Sequence, residues 1–183
     1  MKKFLLPIFA SLLLLAGCDF TEHVSFENIE LDYPAHWILS NHDTDEDTMT
    51  LTIDKPDDEI GYIFVEVFHD SSAVEEGDDL DMVGAYLSHT AHRVAEIFLP
   101  DEDITFTKGL PEEEDFYYDV NDDPVEAGAF VEGTYKGRTF FAGVRSVMID
   151  TYRITAYVQA DSEFTLDEYF DKVYATAHLK EAE

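Results

Sequence analysis

Cys18 is the only thiol in the 183-residue sequence, so no internal disulfide can form. Other side chains have types and spacings that could hold metal. Asp43, Asp45 and Asp47 alternate, and Asp54 falls where the twelfth ligand of a calcium loop would stand. Such an oxygen-rich set suits a hard divalent cation. The sixth position, however, is Thr48 where the sharp turn needs glycine, and no helices flank the segment, so it reads as a solvated hairpin loop. Asp119, Asp122 and Asp123 form a second acidic loop read the same way. His89 and His92 stand three apart in a helical pattern with Glu96 one turn beyond, a spacing that could place ligands on one face. Ser88 and Arg93 share that face, away from the apolar stripe. With no cysteine and no third histidine nearby, it reads as solvated helix surface.

Catalytic patterns are missing from the sequence. There is no G-x-S-x-G elbow, phosphate-binding glycine loop, H-E-x-x-H pair or free catalytic cysteine. With 41 acids in the chain, any chosen pair of carboxylates carries almost no information. The expectation is a protein that is not an enzyme, with no metal site and no cofactor.

The chemistry of Cys18 is set by what precedes it. Lys2 and Lys3 supply a positive start, residues 4–16 are apolar except for Pro7 and Ser11, and small residues follow. This is the layout of a secretory signal, too short for the roughly 20 residues that span a bilayer. Leu15-Ala16-Gly17-Cys18 resembles the lipobox of bacterial lipoproteins. The resemblance implies cleavage before Cys18, with residues 1–17 as signal peptide, and thioether-linked diacylglycerol on Cys18, to which further acyl chains such as palmitate can be added. Two or three chains give durable membrane attachment where one does not. The implied location is the cell envelope, on a membrane facing the periplasm. Asp19 resembles the residue that retains such lipoproteins in the inner membrane. Residues 18–23 read as a lipidated terminus with a short tether, of which residues 19–23 reach at most about 18 Å.

Composition narrows the partners. The chain has 41 acids against 11 Lys or Arg, a formal charge of −30. Nucleic-acid binding, which needs a basic surface, is excluded. So is electrostatic docking of the whole body onto anionic lipid. The acids are spread along the chain, which reads as a hydrated surface; a divalent-cation binder of the envelope is the alternative.

Residues 24–183 must supply the elements that position any site. The pattern over residues 24–33 (Val24, Phe26, Ile29, Leu31, Tyr33) predicts one broken strand or two short ones. A turn leads to Trp37-Ile38-Leu39, residues 43–47 form a loop, and Met49, Leu51 and Ile53 alternate in a strand. Residues 62–68 are apolar at nearly every position, as in a strand covered on both faces. Leu80, Val83, Leu87, Ala91, Val94 and Phe98 mark a helix, closed by Pro100. Ile104 lies in a further strand, Lys136-Gly137 centres a hairpin, and residues 151–160 add another strand. Thr165 with Glu168 makes a capping-box pattern for a last helix, with Phe164 stapling onto Tyr169. Leu166, Tyr169, Phe170, Val173 and Ala177 mark its buried stripe. The fold class is α+β, an antiparallel sheet with helices packed on it.

The run Phe26-Glu-Asn-Ile29-Glu-Leu31-Asp-Tyr33-Pro34-Ala-His-Trp37 resembles the opening of the PsbP-like (Mog/PsbP) superfamily, which includes DcrB-type bacterial lipoproteins. The resemblance implies a sheet sandwiched by helices in one domain, residues 24–183. It also implies a domain that binds other proteins and does not catalyse. Trp37 reads as a core anchor, and Tyr117 and Tyr118, beside acidic loops, as candidates for a partner surface. Residues 133–149 contain no acid but carry Lys136, Arg138 and Arg145, with Arg153 on the next strand. In so acidic a chain this is the place for a complementary partner. Cross-strand pairing with Glu126, Glu132 or Glu66 is the reading favoured over it.

Overall fold

The computed structural model describes residues 20–27, 29–57, 60–69, 80–99, 104–107, 112, 116–119, 126–176 and 178–179. The leader, Cys18, Asp19, Asp122, Asp123 and Ala177 lie outside them. Two strands occupy the start of the domain: β1 (Phe20–Phe26) and β2 (Ile29–Pro34) pair antiparallel. The turn between them contains Glu27, whose φ of 49° lies in the left-handed region. Pairing begins at Phe20, opposite Pro34, four residues before the expected start at Val24. Glu22 and His23 are exposed there, so polar residues conceal the strand from a hydrophobic pattern. The short β11 (His178–Leu179) joins the other side of β2.

A larger antiparallel sheet is built from β3 (Ile38–Thr44), β4 (Thr48–Asp54), β5 (Tyr62–His69), β6 (Ile104–Phe106), β7 (Tyr117–Asp119), β8 (Glu126–Tyr135), β9 (Arg138–Ile149) and β10 (Tyr152–Ala160). Its order is β3-β4-β5-β10-β9-β8-β6, and β7 also pairs with β8. In β4 the alternation is carried through, with Met49, Leu51 and Ile53 buried and the threonines between them half-buried. The β8–β9 hairpin turns through Lys136 and Gly137, both at positive φ (48° and 79°), as the tightest hairpin turns require.

β5 is not covered equally on its two faces. Ile63, Val65 and Val67 are buried, whereas Tyr62, Phe64, Glu66 and Phe68 are half-buried. Helix α1 (Leu80–Phe98) meets this second face at Phe98, whose ring lies 5.9 Å from Tyr62 and 4.6 Å from Phe64. An aromatic second face explains why the strand reads as continuously apolar.

α1 packs over β8, β9 and β10 with Val83, Leu87, Ala91 and Val94 buried. On the opposite side α2 (Glu163–Thr176) lies over β10 and β9 and against β2, burying Leu166, Tyr169, Phe170 and Val173. Trp37 is buried, with its ring edge-on to Tyr169 at 5.1 Å, and it anchors this core. The fold is thus α+β: one large antiparallel sheet with α1 on one face, and α2 with the small sheet on the other.

The start of α2 differs from the expected capping box. Ser162 caps the helix: its Oγ accepts from the Thr165 N–H at 3.2 Å, and its carbonyl accepts from the Leu166 N–H at 3.0 Å. Thr165 is therefore a residue of the first turn and no cap. Phe164, 78 % exposed, forms no staple with Tyr169. A hydroxyl three residues upstream offered the same cap and started the helix one turn earlier. Among the described residues no helix is long and apolar enough to cross a membrane.

Candidate functional site

The basic segment is divided by the sheet and does not form one patch. Arg153 faces α1: its guanidinium donates to Tyr86 Oη at 2.6 Å and to Glu66 Oε1 at 2.7 Å, and lies over the Phe68 and Tyr86 rings. Arg145 faces α2, over Phe170 at 5.0 Å and Phe130 at 5.8 Å, with carboxylates of Glu126 at 3.8 Å and Asp171 at 3.7 Å. Both arginines are thus internal cross-links with acids and aromatic rings, Arg153 with Glu66 and Arg145 with Glu126. Lys136 and Arg138 alone are exposed, at the β8–β9 turn.

Among the described residues the metal candidates do not converge. Asp43 and Thr44 belong to β3, opposite Thr50 and Met49, so the expected loop shrinks to residues 45–47. There the Glu46 N–H donates to Asp45 Oδ1 at 2.8 Å, and the Asp47 carbonyl accepts from the His69 N–H at 2.8 Å. On α1 the His face is less solvated than expected. Ser88 is buried, and His92 is half-buried, edge-on to Phe116 at 5.3 Å, while His89 and Arg93 are exposed. Glu96 reaches His92 Nδ1 at only 4.0 Å. Among the described residues no three His, Cys, Asp or Glu side chains gather as metal ligands. Asp119 lies on β7 opposite Glu126; Tyr117 and Tyr118 pair through their backbones with Gly128 and Ala127, and their side chains lie outside the description.

Two arrangements were not foreseen from sequence. Glu27 Oε2 accepts from Tyr152 Oη at 3.0 Å and lies 2.9 Å from His69 Nδ1, while the His69 and Tyr152 rings stack at 4.8 Å. This clasp joins the small sheet to the large one. It is made of residues remote in sequence, so no local pattern could reveal it.

The second is a partly exposed phenylalanine beside α2. Phe130 is 43 % exposed and meets the edge of Phe170 at 5.8 Å. Between them lies Gly143, where a Cβ would come within 2.8 Å of Phe130 and 2.9 Å of Phe170, so any larger residue would displace the rings. Glu132, Thr134 and Thr139 continue this face and are exposed, and Phe141 is half-buried. α2 meets this side of β8 through Phe170, leaving the Phe130 ring in part open to solvent. An exposed aromatic ring with polar neighbours is a group that a protein contact can use. The signal was present in the alternation of β8, where Phe130 falls out of phase with the buried Ala127 and Ala129.

No protein-family model matches the chain, and no curated protein sequence matches it. Among solved structures the chain is similar to a cyanobacterial PsbP from Synechocystis sp. PCC 6803, at 15% identity and a TM-score of 0.49, over 86% of this chain and 91% of that one. It is similar to a protein from Bacteroides thetaiotaomicron at 12% identity and a TM-score of 0.44, over 84% of this chain but only 46% of that one. A protein of unknown function from Pseudomonas aeruginosa has 8% identity and a TM-score of 0.34, over 88% and 98% of the two chains.

Proposed function

We propose that this chain is a non-catalytic PsbP-like domain, held to an envelope membrane by lipid on Cys18, that works by binding another protein. The anchoring rests on the leader: two lysines, an apolar run, and Leu15-Ala16-Gly17 before the only thiol. Asp19 fits retention in the inner membrane. The binding role rests on one observation, the exposed ring of Phe130. Its ring packs against Phe170 and Arg145 over Gly143, and a side chain already packed has less freedom to lose on docking.

Photo-crosslinking in intact cells tests the binding role. A photoreactive phenylalanine at position 130 should give one discrete adduct, and the same group at Met82, on the far helix, should give none. A ladder of adducts equal at both positions would overturn it. For the anchor, mass spectrometry of the mature N-terminus should find acylated Cys18, and Cys18→Ser should leave uncleaved precursor. An identical unmodified N-terminus in both proteins would refute lipidation.

A further inference from the structure

The large sheet ends in two unlike edges. β6, at one end of the order, has only three residues. β3, at the other, has seven, and among the described residues it pairs with β4 alone. Ser40, Asn41, His42, Asp43 and Thr44 are all exposed. An open strand of this kind is a template for another strand unless proline, lysine or a bulge blunts it. β3 contains no proline and no lysine. Its register shift between Leu39 and Asn41 disturbs the first half, where Ser40 Oγ donates to the Thr52 carbonyl at 3.2 Å. From Asn41 onward the pairing is regular.

Hydrogen-bond alternation fixes which backbone groups of β3 point outward. The Asp45 N–H donates to the Thr48 carbonyl, and the His69 N–H to the Asp47 carbonyl, each at 2.8 Å. Along β4, therefore, Thr48, Thr50 and Thr52 bond towards β3, and Met49, Leu51 and Ile53 towards β5. Asn41 and Asp43, opposite Thr52 and Thr50, turn their amides inward. His42 and Thr44, opposite Leu51 and Met49, turn theirs out. Opposed residues share a face, so Leu39, His42 and Thr44 stand on the α2 side with the buried Ile53, Leu51 and Met49. Asn41 and Asp43 stand on the α1 side.

Residues 38–54 hold Asp43, Asp45, Glu46, Asp47 and Asp54 and no lysine or arginine. Lys55 follows at the far end of β4, its stem against Gly61. Among the described residues Asp43 has no ion-pair partner. The geometry points to β3 as a docking edge for an extended segment of another protein, with Lys or Arg beside Asp43 and apolar side chains beside Leu39. Such a segment bonds to the outward N–H and C=O of His42 and Thr44 and adds one strand to the sheet. A cation across from Asp43 makes a favourable cross-strand pair, and apolar side chains on the other face continue the core from half-buried Leu39. A second copy of this chain is opposed by charge. Each carries a formal −30, and neither β3 nor its flanking turns offer a lysine or arginine. The edge is separate from Phe130, and neither that ring nor lipid on Cys18 enters the inference.

Amide hydrogen exchange, read residue by residue by NMR on the full chain, tests the edge. The probe is a short peptide that alternates lysine with valine. It should slow exchange several-fold at the His42 and Thr44 N–H and change the inward Asp43 N–H little. The same peptide N-methylated throughout, or with glutamate for lysine, should have no effect. Thr44→Pro removes an outward N–H that the fold does not use, so the unfolding midpoint should hold while the protection is lost. Asp43→Lys should weaken the lysine peptide and admit the glutamate one. Protection that survives both substitutions, or falls outside β3, or is absent at millimolar peptide, overturns the inference. Slowed exchange at His42 and Thr44 that grows with protein concentration alone assigns the edge to a second copy and likewise overturns it.

Discussion

Tyr152 and Glu27 are 125 positions apart, yet the tyrosine hydroxyl donates to Glu27 Oε2 at 3.0 Å. The contact fastens the small sheet's first turn to the large sheet, and His69 shares the same oxygen. A hydrogen bond to a charged acceptor contributes about 1.5–3 kcal/mol, and partial exposure of Glu27 places this one near the lower limit. Glu27→Ala should therefore lower stability by about 1–2 kcal/mol in urea unfolding, and Tyr152→Phe by a similar amount. The double variant should lose less than the two separate losses combined, because both remove one contact. Strict additivity would show that the clasp is not an energetic unit.

Arg153 and Glu66 form a cross-strand ion pair at 2.7 Å, with both side chains largely shielded from water. Breaking one side of such a pair strands the other charge. Glu66→Ala should cost about 3 kcal/mol, toward the lower limit for enclosed pairs because Glu66 keeps some exposure. Arg153→Met combined with Glu66→Leu should recover most of that loss, since an apolar pair has no charge to desolvate. If the double variant unfolds as easily as Glu66→Ala, the pair is not the source of the cost.

Much of this architecture was legible because it is periodic. The stripe of α1 and the alternation of β4 state their buried faces directly, and Lys136-Gly137 marks a hairpin by its demand for positive φ. Contacts between distant elements left no such trace. The sequence grouped Lys136, Arg138, Arg145 and Arg153 by proximity along the chain. Arg145 and Arg153, however, are eight residues apart on adjacent antiparallel strands, and strand parity sends them to opposite faces of the sheet. Glu27, His69 and Tyr152 meet only because three turns converge at one end. The exposure of Phe130 could be read only as alternation, since it depends on how far α2 extends over β9.

At the start of α2 two hydroxyls compete for the role of cap. Ser162 accepts the Thr165 N–H, and its own hydroxyl meets Thr165 Oγ1 at 2.7 Å. Ser162→Ala should cost about 1 kcal/mol, the usual loss for a removed cap, and Ser162→Gly only a few tenths. Thr165→Val should cost less than Ser162→Ala, because Thr165 supplies no cap. Thermal unfolding orders the variants, and a larger loss at Thr165 would restore the capping box suggested by Thr165 and Glu168.

Tyr62 gives the domain an alkaline sensitivity. Its burial beneath α1 pushes the phenol pKa above 10.0, Asp54 adds to the rise, and a hydrogen bond with Thr52 opposes it. The folded state therefore holds the proton more tightly than the unfolded chain does. Below pH 10 both states are protonated and the group contributes no pH dependence. As pH rises through 10 the unfolded chain ionises first, and stability falls until the folded-state pKa is passed. Tyr33, also raised by burial and by Glu22, acts with the same sign. Tyr62→Phe should make the loss of stability above pH 10 shallower without changing its slope near neutrality. Urea unfolding from pH 8 to pH 11 measures this, with tyrosinate absorbance following ionisation in the folded protein. An unchanged alkaline slope in Tyr62→Phe would show that Tyr62 ionises as easily in the fold as in the open chain.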